Sequence, residues 1–278
     1  MENDMKNATY TGPSRLTLTG TQGHAMKSDR YWNAGKTVAA LGDGVLLDMA
    51  KAPHVLIAGT TGSGKSCMMH AIICSLLAKN TPSSARFLLI DPKRVEFFDY
   101  KNHPMLWCPV VTDTDEALTA LNKAVKEMED RFAYMEENGQ RIWQGAKLYI
   151  FIDEVADLML TTGKKAEHLI TRLAQKGRAA GIHMVLATQQ PTVKVLPSVI
   201  KANCPTRIAL KVRTTSDSRV ILDHKGAETL RGCGDAILSD VYGNETRFQG
   251  GYLSDDELRT FTHDYTMKSN SFFGRLFG

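Results

Sequence analysis

Cysteine is scarce and unpaired in this 278-residue chain: Cys67, Cys74, Cys108, Cys204 and Cys233 are odd in number and show no C-x-x-C spacing. That argues against a disulfide framework and against a zinc site, and makes a reducing cytoplasm the expected setting. No run approaches the ~18 consecutive apolar residues of a membrane span. Residues Met1 to Tyr10 (MENDMKNATY) lack the basic and apolar regions of a signal peptide, so no intrinsic transmembrane segment is expected. Charge of one sign is also in short supply, since 34 Lys+Arg against 30 Asp+Glu leave +4, too little to argue for nucleic acid. There is no solenoid-type repeat. With 43% hydrophobic and 23% charged residues the composition is that of a globular chain, not of a disordered, collagenous or coiled-coil one.

What is present is an alternation. From His54 onward, β-rich apolar runs at His54 to Ala58, Arg86 to Ile90, Leu148 to Ile152 and His183 to Ala187 are separated by stretches of helical pattern. This predicts an α/β fold with a mostly parallel central sheet flanked by helices. Asp113 and Glu116 can form a capping box for a long helix ending near Asn138-Gly139, and a second helix is expected over Lys164 to Ala180, stopped by Gly181. A further strand is expected at Thr206 to Val212, two more around Asp235 to Ser239 and Thr246 to Gln249, and a capped segment at Ser254 to Glu257. The expected division is a leader over 1–44, a motor domain over 45–250, and a short helix with a tail over 251–278.

Gly59-Thr60-Thr61-Gly62-Ser63-Gly64-Lys65-Ser66 fits G-x-x-x-x-G-K-[ST], follows the apolar run HVLIA and leads into CMMHAIICSLLAK. Strand before and helix after is the context a P-loop needs. Its glycines let backbone N–H groups converge on phosphate oxygens, and the helix adds its positive end. Lys65 is expected to reach the β and γ phosphates of ATP, and Ser66 to place a hydroxyl on Mg²⁺. The run Leu148 to Ile152 delivers Asp153 and Glu154 at the end of a buried strand, where ligands of open α/β sheets gather. Alone, such an acidic pair reads as a helix cap or a surface turn. Downstream of a P-loop it reads as Asp153 in the Mg²⁺ shell and Glu154 orienting or deprotonating the attacking water. A third run ends in Thr188-Gln189-Gln190-Pro191, which sets Gln189 beside the same sheet edge as a candidate γ-phosphate sensor.

Several separated stretches together resemble the motor domain of the FtsK/SpoIIIE double-stranded DNA translocases, within the wider FtsK/HerA group of P-loop ATPases. They are PHVLIAGTTGSGKS, FLLIDPKRVEF, FIDEVADLM, LAQKGRAAGIHMVLATQQP, IKANCPTRIALKV, and DSRVILD with GAETLRGCGDAIL, in unbroken order over about Leu47 to Ser239. The resemblance implies a RecA-like motor that assembles as a homo-hexameric ring, hydrolyses ATP between subunits and draws duplex DNA through its pore. It implies an arginine finger supplied by a neighbour, matched here by Arg178, with Arg207 and Arg219 as rivals. It also implies DNA contacts in and after the loop that follows Gln189, from Lys194, Lys201, Arg213 and Arg219.

There are departures. The family text after the sensor glutamine is Arg-Pro, whereas this chain has Gln190-Pro191, one cation fewer in a loop expected to face DNA. The amino-terminal membrane helices and carboxyl-terminal winged helix of the chromosomal translocases are not visible, so sequence-directed orientation is not expected and membrane anchoring would need a partner or a missing segment. The aromatic tail Ser271 to Gly278 (SFFGRLFG) reads as a segment that docks on its own domain or frays, with a partner- or membrane-binding peptide as the sharper alternative. Two other readings stand beside duplex translocation. One is a conjugative coupling, phage packaging or secretion ATPase that moves single-stranded DNA or polypeptide. The other is an assembly factor gated by nucleotide with negligible turnover, against which the intact Lys65, Ser66, Asp153 and Glu154 argue.

Overall fold

The structure, a computed structural model, describes residues 29–259 together with Phe261 and Thr262. Most of the expected leader and the whole tail Ser271 to Gly278 lie outside the described residues. A short helix α1 (Asp29–Asn33) precedes a hairpin of β1 (Val38–Gly42) and β2 (Val45–Asp48). There follow β3 (His54–Ala58), α2 (Lys65–Lys79), β4 (Ala85–Ile90), α3 (Thr114–Glu137), β5 (Lys147–Ile152), α4 (Val155–Thr162) and α5 (Lys164–Lys176). The chain continues through β6 (Ile182–Thr188), α6 (Ser198–Asn203), β7 (Thr206–Leu210), α7 (Thr215–Leu222), β8 (Asp235–Ser239) and β9 (Glu245–Gln249).

Seven strands form one sheet in the order β4-β5-β6-β3-β7-β8-β9, the first five parallel and the last two antiparallel. The expected mostly parallel sheet flanked by helices is therefore the observed fold. Its parallel strands are apolar almost without interruption because both faces are covered. Alternate residues divide between two layers, as the period of two in a strand dictates. Val55, Ile57, Phe87, Leu89, Tyr149, Phe151 and Val185 join α2 and the hairpin. Leu56, Leu88, Ile90, Leu148, Ile150, Ile152 and Leu186 join α3 to α6. The outer edge of β4 is covered by the segment after it, through bridges from Phe87 to Leu106 and from Ile90 to Val111, which leaves it no long free edge.

Two expected boundaries move. The hairpin crosses Gly44, the expected end of the leader, and β1 is buried along its whole length against α2. Ser75 of α2 holds it by accepting from Ala40 N at 3.1 Å and donating to Ala40 O at 3.3 Å, so the hairpin packs as part of the same core as the sheet. The helix expected to run to Ala180 ends at Lys176. Gly177 is wedged at the chain reversal, where a Cβ would stand 2.9 Å from Ile182 O and 3.3 Å from His54, and Ile182 N donates back to Gly177 O. The capping box expected at Asp113 is present in its first half, the Asp113 carboxylate accepting from Asp115 N and Glu116 N. All five cysteines are free thiols, and no helix among the described residues is long and apolar enough to cross a membrane.

Candidate nucleotide site

β3 lies in the middle of the sheet between β6 and β7, so the loop after it opens at the end of the sheet where neighbouring strands also terminate. Residues 59–64 turn tightly there before α2 begins at Lys65. Gly62 and Gly64 have φ of 77° and 99°, and a Cβ on Gly64 would come within 2.5 Å of Gly234 N. Only glycine fits that contact. The loop is held from the β7–β8 side: Thr60 N and Oγ1 donate to Lys211 O at 2.9 and 3.1 Å, and Gly234 N donates to Ser63 O at 2.8 Å.

Lys65 is almost fully buried, with its ammonium donating to Asp153 O at 3.0 Å and to the Asp153 carboxylate Oδ1. Burial pushes the Asp153 carboxyl above the ordinary carboxylate range, and Lys65 opposes that shift. Asp153 Oδ2 and Ser63 Oγ are buried with no protein partner among the described residues. An acceptor beside a buried ammonium and a hydroxyl inside a glycine loop are the groups that a divalent cation and a phosphate oxygen require, so the residues present fit both. Ser66 is half-buried in the first turn of α2 on the same loop.

Glu154 is fully buried and heavily bonded. Its Oε1 accepts from Thr188 Oγ1 at 2.6 Å, Gln189 N at 3.3 Å and Ala156 N at 3.4 Å, the last making it the N-cap of α4. Its Oε2 accepts from Gln189 N and Lys93 Nζ, each at 3.1 Å. For Lys93 the penalty of burial is the largest single influence, yet Glu154, Asp157 and Asp153 together outweigh it and raise the ammonium's pKa. Gln189 reaches across to the phosphate loop, its Oε1 accepting from Thr61 Oγ1 at 3.0 Å.

Lys65, Asp153, Glu154, Gln189 and the loop Gly59 to Ser66 are thus brought together. The other expected residues are spread. Arg178 is exposed on the turn that precedes β6, beside the start of β3, at the opposite end of the sheet from Lys65. It does not reach this chain's own loop. Lys194, Arg213 and Arg219 are exposed, whereas Lys201 donates to Asp223 Oδ1 at 2.9 Å and Arg207 pairs with the same carboxylate while donating to Ile221 O at 2.8 Å.

Three site residues went unassigned in the sequence reading: Lys93, Thr188 and Asp91. Asp91 ends β4 as Asp153 ends β5, and its Oδ2 accepts from Glu96 N at 2.9 Å and Phe97 N at 3.1 Å, fixing the segment that carries Lys93. The signal for it was an acid after a buried apolar run, the same signal that marked Asp153.

Comparison with known proteins gives this geometry a family. The model of the FtsK/SpoIIIE family matches residues 26–147 and 138–193. The chain belongs to the FtsK/SpoIIIE family. It is 46% identical over 257 residues to DNA translocase FtsK 2 of Ralstonia nicotianae, covering 81% of this chain and 33% of that protein. It is 42% identical over 260 residues to DNA translocase FtsK of Pseudomonas aeruginosa, covering 81% and 32%. The chain therefore spans about one third of the length of these relatives. Among solved structures it resembles the pCW3 conjugation coupling protein TcpA with ATPγS, at a TM-score of 0.76 and 27% identity over 87% of this chain and 73% of that one. The cytoplasmic domain of the type VII secretion ATPase EccC of Thermomonospora curvata shares the fold, at a TM-score of 0.73 and 20% identity over 89% and 34%. This FtsK/SpoIIIE chain thus has the P-loop ATPase fold.

Proposed function

We propose that this chain is the motor of an ATP-hydrolysing double-stranded DNA translocase that works as a ring of six. The observation that carries the proposal is the buried pair of acids behind the phosphate loop, Asp153 against Lys65 and Glu154 one residue on, in a chain of the FtsK/SpoIIIE family. Beside its place as the N-cap of α4, a buried carboxylate one residue beyond the Lys65–Asp153 pair supports hydrolysis over binding alone.

In this reading Lys65 and the N–H groups of Gly62 to Ser66 bind the phosphates, and Ser66 and Asp153 hold Mg²⁺. The cation supplies charge neutralisation at the phosphate oxygens. Glu154 accepts the proton of the attacking water, and Gln189, tied to Thr61, links the phosphate loop to the strand end that supports Glu154. Arg178, remote from its own loop, serves a neighbour's site. Lys194, Lys201, Arg213 and Arg219 grip the DNA backbone without reading sequence. The setting is cytoplasmic, with the tail after Asn270 as the element of recruitment to membrane or protein.

The test is ATP turnover with linear duplex, with single-stranded circles and without DNA, across a salt series. The expected result is stimulation by duplex that falls as salt rises. Turnover indifferent to every DNA overturns the reading. A second reading, transport of single-stranded DNA by a coupling motor, is favoured by the likeness to TcpA, a conjugation coupling protein. Preferential stimulation by single strands would select it.

A further inference from the structure

We infer that Lys93 is a latch on Glu154: it completes a bonding arrangement that leaves the carboxylate no free lone pair for water, and its withdrawal readies the site for hydrolysis. The inference rests on the reading of Glu154 as the base. A carboxylate offers about four lone-pair sites. Four donors fill them at 2.6 to 3.4 Å: Thr188 Oγ1, Ala156 N and Lys93 Nζ, and Gln189 N, whose one hydrogen is shared between both oxygens. A water that is to lose a proton to Glu154 needs one of them gone.

Only one of these donors can leave without dismantling an element. Gln189 N follows directly on β6, and Ala156 N lies in the first turn of α4. Thr188 is fully buried and its hydroxyl is also fixed from behind, accepting from Gln190 N at 3.0 Å. The Lys93 side chain is different: it is 36% exposed, rides on a flexible four-carbon stem, and can exchange the carboxylate for water. Glu154 stays buried when the cation leaves, but Thr188 Oγ1, Gln189 N and Ala156 N remain to bond its charge. The segment that carries it is a closed loop with an exposed crest. Asp91 pins its two ends through Glu96 N and Phe97 N, while Arg94 takes a left-handed φ of 61° and Val95 is 67% exposed at the crest. Lys93 is a positioning residue here and touches no reacting atom.

The experiment compares steady-state ATP turnover of the unmodified protein with Lys93→Met, Lys93→Gln, Lys93→Arg, Glu154→Gln and the Lys93→Met/Glu154→Gln pair, all without DNA. Lys93→Met and Lys93→Gln are expected to raise kcat about tenfold with KM unchanged, the equivalent of one contact removed from the activation barrier. Lys93→Arg keeps cation and donors and returns turnover toward the unmodified rate. The double variant stays silent, which shows that the gain runs through Glu154. Unchanged or lower kcat in both Lys93→Met and Lys93→Gln overturns the latch, and so does loss of their melting transition, because a detachable contact is not needed for folding. Unaltered hydrolysis in Glu154→Gln overturns the reading of the base instead, so the two failures are distinct.

Discussion

The sheet has two unlike flanks about β3. On one side β6, β5 and β4 are parallel, buried on both faces, and terminate in Thr188-Gln189, Asp153-Glu154 and Asp91. On the other side the sheet turns antiparallel after β7, its last strand β9 is mostly exposed, and it approaches the phosphate loop with Gly232, Cys233 and Gly234, all at positive φ. The difference separates two tasks. Parallel strands place their carboxyl ends side by side and so gather acids at one edge. The antiparallel flank contributes no acid to that cluster. It supplies backbone that holds the loop in shape, through Gly234 on Ser63 and Lys211 on Thr60.

The largest effects should come from breaking the acid flank. Glu154→Gln is expected to lower kcat by roughly 10²–10⁴-fold while ATP binding, followed with a fluorescent analogue, persists. Lys65→Ala removes the buried cation as well as its support for Asp153, and binding itself should be lost. If Glu154→Gln weakened binding as severely as Lys65→Ala, the two acids would share one structural role and the division drawn here would fail.

The glycine flank should fail through shape. Gly64→Ala adds a Cβ within 2.5 Å of Gly234 N at a φ of 99°, a strained position with a clash added, at a cost of about 1–3 kcal/mol. Gly62→Ala meets nothing within 4 Å and carries only the left-handed penalty of roughly 1–2 kcal/mol. Thermal unfolding should therefore rank Gly64→Ala below Gly62→Ala, with nucleotide affinity in the same order. Equal losses would mean that the contact with Gly234 is not what fixes the loop.

Acid separates the flanks by pH window. His54 and His183 begin β3 and β6, and His103 lies in the segment along β4; burial lowers them to about 4, about 3 and about 3. The unfolded chain takes up these protons from about pH 6.5 while the folded one refuses them, so stability falls as pH drops from there toward the folded values. On the other flank, hydrogen bonds from Arg247, then from Arg231, hold the buried Asp235 carboxyl well below the usual carboxylate range against the penalty of burial. Its contribution is complete above its unfolded value of about 3.9 and is lost only below it. A melting series should thus decline from about pH 6.5 toward pH 3, more steeply below about pH 4, with Asp235→Asn reducing the added slope and leaving the decline above pH 4 in place. A melting temperature that stays flat down to pH 4.5 would sink the histidine part.

Much of this was legible in the residues, for reasons that differ by element. Runs such as HVLIA and LYIFI are apolar at every position, which only a strand covered on both faces sustains, and GTTGSGKS carries its own backbone requirements. The helix end at Lys176 was not legible, because the close approach of Gly177 to His54 and Ile182 arises only in the folded chain and no local pattern encodes it. The hairpin across Gly44 belongs to the core through Ser75, 35 residues on from Ala40. Lys93 and Thr188 stand 61 and 34 residues from Glu154, so their convergence exists only once the strand order is known. The residues that three strand ends bring to one edge were readable; the partners that bond Glu154 there, Lys93 and Thr188, were not.

The smallest effect tests where the basic surface begins. Lys201 and Arg207 both converge on Asp223, which is 61% exposed in its side chain and sits in the left-handed C-cap of α7 with a φ of 68°. Asparagine tolerates that backbone as aspartate does, so Asp223→Asn removes the charge and leaves the turn. The carboxylate end of this network is open to water although Lys201 and Arg207 are largely covered, so its contribution is about 1 kcal/mol and the melting temperature should move little. DNA binding should change more. With Asp223 neutral, Lys201 is free to meet a phosphate, and the slope of log affinity against log salt should steepen by about one. An unchanged slope with unchanged stability would remove Lys201 from the DNA surface, leaving Lys194, Arg213 and Arg219, whose side chains this network does not tie down, to carry the grip.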